Sequence, residues 1–377
     1  MNIALIYSEA LHPINGANIR GNYLLDLLSK KGHNVDLITP KVKISFPPNI
    51  NPYYVSKVER FTKFIKLKHL WFGLKSFTFL NKLKKKYDVI YCFGVSGTTL
   101  AYLLTLKTNV PLICDFTEMD FLELYDFKNP LLFILKKISP MWNKKIFSKC
   151  KKLIVLTKEM QKYVTQNSNV DTEVIYDAAD YNLFNAKVKK TRDEGFVLVF
   201  HGGIEKRDGI LNLLKASRNL LRRYDFKILI IGKGGAKKEC MNYVRKHFNL
   251  KKSVTFTGWV PYSDVPKYLS KASVGVVPSI DIPLNRIVIP RKIFEYMNCG
   301  IPILASDLPA IREVLNEKNS ILVPPNINSL TQAIKFCIEN PKVIKKKARF
   351  LIEKAKVLNL QHEMKKLYKI LVDCSIK

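Results

Sequence analysis

The feature that most constrains this chain is an alternation of short apolar runs and amphipathic segments that begins at the N-terminus, breaks, and starts again near residue 196. Residues 3–7 read as a strand, followed by a loop containing Gly16. A helix carrying Leu24, Leu25, Leu27 and Leu28 follows, and Lys30-Lys31-Gly32 ends it. Further strands are expected at 35–38, 89–92, 112–114, 153–156 and 174–176. The second series has strands at 196–200, 227–231, 254–256, 274–277, 301–305 and 321–323, with a helix running to Leu221 after the first of them. Continuous apolar strands separated by helices predict parallel sheets covered on both faces. The polar, aperiodic stretch 182–195 reads as a linker. At 377 residues the chain is too long for one ordinary core. The expectation is therefore α/β: two Rossmann-like doubly wound domains facing a central cleft, at 1–181 and 196–354. A final helix at about 355–377 packs back on the first domain. Ligands in such sheets bind beyond the carboxyl ends of the strands.

Composition narrows the class. Hydrophobic content of 47% argues for a globular chain. The seven cysteines are scattered and none forms a C-x-x-C pair, which argues against a disulfide framework or a structural zinc site and for a reducing compartment. The start of the chain reads as a strand, without the basic leader of a signal peptide. No apolar run approaches the roughly 18 residues that span a bilayer. The expected location is cytoplasmic, peripheral on the inner face of the cell membrane. Charge is the strongest compositional signal: 63 basic against 31 acidic residues gives +32. Such a field attracts nucleic acid, anionic lipid or phosphorylated substrates. It is concentrated in two places. Residues 57–86 carry Lys and Arg against Glu59 alone, and residues 128–152 carry eight lysines and no acid. Both interleave aromatic and aliphatic residues (Phe64, Trp71, Phe72 and Phe133, Ile134, Trp142), as helices lying on an anionic membrane would. A core face with snorkelling lysines is the other reading of the same pattern.

Three loops carry candidate chemistry. Gly16 and the pair Gly202-Gly203 each follow a first strand and precede a helix, where backbone amides can approach a phosphate. Neither loop matches a dinucleotide fingerprint or a P-loop. Lys206 and Arg207 could pair with a diphosphate. In the stretch from Asn285 to Ser306, Pro290 suits a first helical position, Ile293, Phe294 and Met297 mark a buried face, and Gly300 with Pro302 stops the helix. Lys292 and Glu295 sit three apart in the first turns. They are either a solvated ion pair or the receiving end for an anionic ligand. No covalent triad and no metal cluster is visible.

Gly258-Trp259-Val260-Pro261, the run from Tyr268 to Pro278-Ser279, and above all Pro290-x-Lys292-x-x-Glu295-Tyr296-Met297-x-x-Gly300-x-Pro302 resemble the signatures of the family 4 glycosyltransferases, group 1 members of the GT-B superfamily. The likeness runs nearly end to end and is looser in the first half, through Gly16, Lys31-Gly32-His33 and Leu156-Thr157. It implies a UDP- or GDP-linked sugar donor held mainly by the second domain. Glu295 would accept from the ribose hydroxyls, Pro290, Arg291 and Lys292 would face the diphosphate, Gly258 and Val260 the base, and Gly16 the reacting phosphate. The first domain would bind a lipid-linked or glycan acceptor. The family transfers with retention, usually without metal or other cofactor.

Departures are also plain. The first carboxylate of the family's Glu-x7-Glu pair is replaced by Ile287, leaving Asp281 or Asn285 to meet the sugar. The usual Arg and Lys of the loop after the linker are Gly203 and Asp208, and Asp177-Ala178-Ala179-Asp180 stands for the usual N-G-x-D. A His-Asp position reads Thr117-Glu118. Glu118 and Asp281 are the candidate catalytic residues, with no base assigned. A nucleotide-sugar epimerase, a catalytically silent relative and a nucleic-acid binder are the alternatives, though no nucleic-acid module appears.

Overall fold

The computed structural model describes residues 1–7, 19–41, 44–55, 87–94, 109–117, 130–166, 168–185 and 195–375. It divides into two units: Met1–Tyr176 with Glu363–Lys377, and Asp177–His362. The first holds a seven-stranded parallel sheet made of β1 (Asn2–Tyr7), β2 (Asn34–Pro40), β3 (Ile50–Val55), β4 (Val89–Phe93), β5 (Leu112–Phe116), β6 (Lys152–Val155) and β7 (Thr172–Val174). The order is β3-β2-β1-β4-β5-β6-β7, so it reverses between β1 and β4. β4 and β5 are buried along their whole length, as strands covered on both faces must be. β3 is absent from the sequence reading. Its Pro52 cannot donate to a ladder, and the strand tolerates it because β3 lies at the sheet edge.

A buried ion pair fastens the first helix, Ile19–Lys30, to this sheet. Arg20 is 2% exposed and its Nη2 lies 2.9 Å from Oδ2 of the fully buried Asp115, at the carboxyl end of β5. Its Nη1 donates to the Ile175 carbonyl at 2.8 Å, and the Tyr91 hydroxyl donates to Asp115.

The second unit begins at Asp177, not after a linker at 182–195. Phe184, inside that polar stretch, is fully buried, and residues 186–194 lie outside the described residues. Its sheet has six parallel strands: β8 (Val197–His201), β9 (Lys227–Ile231), β10 (Val254–Gly258), β11 (Val274–Val277), β12 (Ile303–Ser306) and β13 (Ile321–Val323). The order β10-β9-β8-β11-β12-β13 reverses between β8 and β11. The helix Lys292–Asn298 lies against the middle of this sheet through Tyr296. The ring of Tyr296 packs on the backbone of Gly275 in β11, so closely that an added Cβ would stand 2.5 Å from the ring. The Tyr296 hydroxyl donates to the Val199 carbonyl in β8 at 3.1 Å. Gly300, with φ +63°, ends the helix as its position suggested.

Toward the C-terminus, where the sequence placed a final helix at about 355–377, two helices meet, Pro341–Val357 and Leu360–Cys374. Asn359 makes the break. Its amide donates to Ala355 O at 3.1 Å, and its side-chain carbonyl accepts from His362 N at 3.1 Å. From Glu363 onward the last helix belongs to the first unit, where Glu363 accepts from Tyr176 N at 2.9 Å. Among the described residues no helix is long and apolar enough to cross a membrane.

Arg20→Leu is expected to lower stability by about 3–5 kcal/mol, because it strips the charge partner from the buried Asp115. Guanidinium unfolding followed by circular dichroism measures this, and an unchanged midpoint would refute the anchoring role.

Candidate functional site

Beyond the carboxyl ends of β8 and β11, where the second sheet reverses, the chain gathers a set of buried polar side chains. At the centre is Glu295, from the first turn of the helix Lys292–Asn298. The residue is 2% exposed. Its Oε1 accepts a hydrogen bond from the Tyr262 hydroxyl at 2.6 Å, and its Oε2 lies 2.7 Å from His201 Nε2. His201 ends β8, and Tyr262 opens the short turn Tyr262–Asp264 after β10. Lys292 and Glu295 are therefore not a solvated pair. Both are buried and each has other partners.

Electrostatics keep the carboxylate ionised. Burial pushes the Glu295 carboxyl up, but the charge and hydrogen bond of His201, the Tyr262 hydroxyl and the nearby Arg291 outweigh it and hold it below the ordinary value. Burial, then the charge of Glu295, drives the Tyr262 phenol well above its usual range, so it stays a donor. Arg291 forms an ion pair with Asp177. Burial pulls its guanidinium down, but Asp177, Tyr262 and Glu295 raise it further than burial lowers it.

The neighbouring loop is tied to the same helix. Lys292 Nζ lies 3.1 Å from Asp208 Oδ1 and 4.4 Å from the centre of the Phe200 ring. Asp208 thus stands where a cation was expected from the family pattern, and it holds the cation that Lys292 brings. Asp208 also accepts from Glu205 N at 3.1 Å, closing the turn Lys206–Asp208. Gly202 has φ +117°, and a Cβ there would meet Lys292 Cε at 3.2 Å. Gly203 and Lys206 are exposed. The Arg207 carbonyl accepts from Ile280 N at 3.1 Å and from Asn285 Nδ2 at 2.9 Å, which joins the loops after β8 and β11.

The remaining candidates are dispersed. Gly258, with φ +79°, ends β10 with Val260 half-buried beyond it. Pro290 precedes the helix rather than opening it. Asp281 is bound at both oxygens by Arg286, at 2.6 and 2.7 Å, and that hydrogen bonding lowers its carboxyl below the usual range. Ile287 is buried, with no carboxylate in its place. Gly16 and Glu118 lie outside the described residues. His201 and Tyr262 were not singled out from sequence, although each adjoins a motif that was, and Asp177 was named only as a departure from the N-G-x-D pattern. Among the described residues no group of three or more His, Cys, Asp or Glu could hold a metal ion.

Two doubly wound units, one carrying an ionised carboxylate at its switch point, make up the GT-B fold of glycosyltransferases. The model of the "Glycosyl transferases group 1" family matches residues 195–340, and that of "Glycosyltransferase Family 4" matches residues 14–183. The chain belongs to the group 1, family 4 glycosyltransferases. An uncharacterized glycosyltransferase of Methanocaldococcus jannaschii is 22% identical over 99% of both chains. The chitobiosyldiphosphodolichol beta-mannosyltransferase of Candida albicans is 25% identical, over 42% of this chain and 32% of that enzyme. The O-antigen chain mannosyltransferase RfbU of Salmonella typhimurium is 26% identical, over 59% of this chain and 61% of its own. Among solved structures, sucrose-phosphate synthase from Thermosynechococcus elongatus superposes with a TM-score of 0.82 at 21% identity, covering 98% of each chain. Anabaena HepE in complex with UDP gives 0.72 at 15% identity, covering 99% of this chain and all of that one.

Because Glu295 is held below its ordinary value of 4.5, its contribution to stability is full above that value and is lost as pH falls through the lower folded value. Tyr262→Phe is expected to cost about 1–3 kcal/mol near neutral pH by leaving a buried carboxylate oxygen without a donor. The gap from wild type should close as the solution is acidified below the ordinary carboxylate range. Urea unfolding across that range measures both, and a gap independent of pH would refute the assignment.

Proposed function

We propose that this family member is a retaining hexosyltransferase that moves sugar from a UDP- or GDP-linked donor to a lipid-linked or polysaccharide acceptor at an anionic membrane surface. The observation that carries the reading is the buried, ionised Glu295. A carboxylate has about four lone-pair sites. Tyr262 and His201 occupy two, which leaves acceptors for the paired hydroxyls of a ribose. The names of the Candida and Salmonella relatives, and the UDP in the HepE structure, support donor and acceptor classes of this kind for those proteins.

In this reading the reaction breaks the bond between the sugar and the diphosphate, and negative charge builds on the leaving oxygen. The backbone amide of Gly203 and the cations Lys206, Arg207 and Lys292 stabilise that charge, whereas the Gly202 amide that the sequence offered already donates to the Ile231 carbonyl at 2.9 Å. The Lys292 ammonium turns from Asp208 toward the phosphate when donor binds. No step is assigned to a metal or cofactor. The membrane part of the proposal draws support from the helix Pro130–Phe147. There Phe133 and Met141 are 49% and 76% exposed beside the exposed Lys137, Lys144 and Lys145. Residues 57–86, the other basic cluster, lie outside the described residues. The proposed location is the inner face of the cell membrane.

A second reading, a nucleotide-binding relative that transfers nothing, is favoured by Ile287 and by Asp208 neutralising Lys292. Transfer assays across a panel of nucleotide sugars separate the two, and the anomer of the product, read by NMR, tests retention.

Binding is the first check. A nucleotide at one hundred times its Kd should add about 2.7 kcal/mol of stability and raise the melting temperature. Glu295→Ala is expected to weaken binding of UDP or GDP by roughly 10- to 150-fold, through loss of about 1.5–3 kcal/mol of charge-assisted hydrogen bonding. Undiminished affinity in that variant would break the reading. Lys292→Ala should lower kcat more than it raises KM, because its charge is needed most as the leaving group departs. Stopped assays at saturating donor measure this.

A further inference from the structure

We infer that the helix Pro341–Val357 of the second unit presents an anionic-membrane docking face of its own. One side of this helix is fixed in the core by Ile344, Ala348, Leu351 and Ala355, all buried. On another side Val343, Phe350 and Val357 are 43%, 52% and 67% exposed. They are spaced by seven residues, so they fall along one line of the helix with a drift of only about 20° per step. Phe336, seven residues before Val343 on the preceding helix, is also 41% exposed.

Rows of cations bound this apolar line. The helix carries seven Lys and Arg residues against Glu353 alone. On one edge Lys347 and Lys354 donate to the carbonyls of Glu317 and Val314. On the other edge Lys342, Lys346 and Arg349 are exposed. Glu353, the acid of this surface, is already paired with Lys356 at 2.8 Å.

Charge and shape together choose the occupant. A duplex of nucleic acid would use the cations but has no place for a ridge of exposed Phe and Val. A protein partner would need a wider apolar patch than one line of side chains. The interface of an anionic bilayer uses both parts, taking the apolar side chains at the boundary of headgroup and acyl chain while the cations meet the lipid phosphates. The inference is independent of the transferase reading, since it needs no nucleotide site, and it adds a face distinct from the helix Pro130–Phe147.

The test is co-sedimentation of the full chain with vesicles of phosphatidylcholine, with and without about one third phosphatidylglycerol. Wild type should pellet only with the anionic vesicles and be released by salt. The triple variant Val343→Ser, Phe350→Ser, Val357→Ser should bind about fivefold or more weakly with an unchanged melting temperature, as expected for exposed positions. A second variant, Lys342→Gln with Lys346→Gln and Arg349→Gln, should lose affinity too and steepen no salt dependence. Phe133→Ser with Met141→Ser serves as the comparator for the first unit. If that pair abolishes binding while both second-unit variants bind like wild type, the inference falls and the first-unit reading stands. Absence of binding to anionic vesicles at low salt overturns it, as does duplex DNA displacing the vesicles equally from wild type and from the triple variant.

Discussion

An ionised carboxylate inside a protein is costly unless donors surround it, and the arrangement around Glu295 follows from that requirement. His201 and Tyr262 each take one oxygen, and Arg291, itself neutralised by Asp177, adds charge at a little distance. These groups come from the end of β8, the turn after β10, the start of one helix and the segment that opens the second unit. They can meet only because the parallel sheet reverses between β8 and β11, opening a place beyond the strand ends. Tyr296 fixes the depth of the helix by lying on Gly275 and bonding to Val199, and its neighbour Glu295 inherits that position.

The second constraint is the exchange of charges between loop and helix. In the family pattern, the loop after the first strand of this unit supplies cations. Here it supplies Asp208, and the cation comes from Lys292. The pair keeps the ammonium stretched across the Phe200 ring, in a fixed place rather than free in solvent. Asn285 then ties the loops after β8 and β11 together through the Arg207 and Ile280 carbonyls. Two residues further on, Ile287 contributes packing where the family pattern has a carboxylate. The site is thereby built around Glu295, with Asp177 and Asp208 paired to Arg291 and Lys292 beside it.

Much of the fold was legible because fully buried parallel strands appear as unbroken apolar runs bounded by glycine and proline. β4, β5, β8, β11 and β12 are of this kind. β3 was missed because an edge strand needs neither apolar continuity nor a full set of donors, so Asn51 and Pro52 hid it. The polar stretch from 182 concealed Phe184, whose burial depends on the ring of Tyr262 at 5.1 Å and not on any local pattern. The break at Asn359 was hidden for a similar reason, since one side chain serves two helices there.

Sequence alone determined the class of architecture, the helix stop at Gly300 and the prominence of Lys292 and Glu295, since each rests on periodicity, on local backbone preference or on a short motif. It could not say whether those two side chains faced water or each other. The tertiary structure decided that they face neither. His201 lies ninety-four positions before Glu295 and Tyr262 thirty-three, and hydrogen bonds over such separations leave no periodic trace in a chain. Only the reversal of strand order at β8 and β11 brings them within 3 Å of one carboxylate, and that proximity turns a surface ion pair into a buried acceptor.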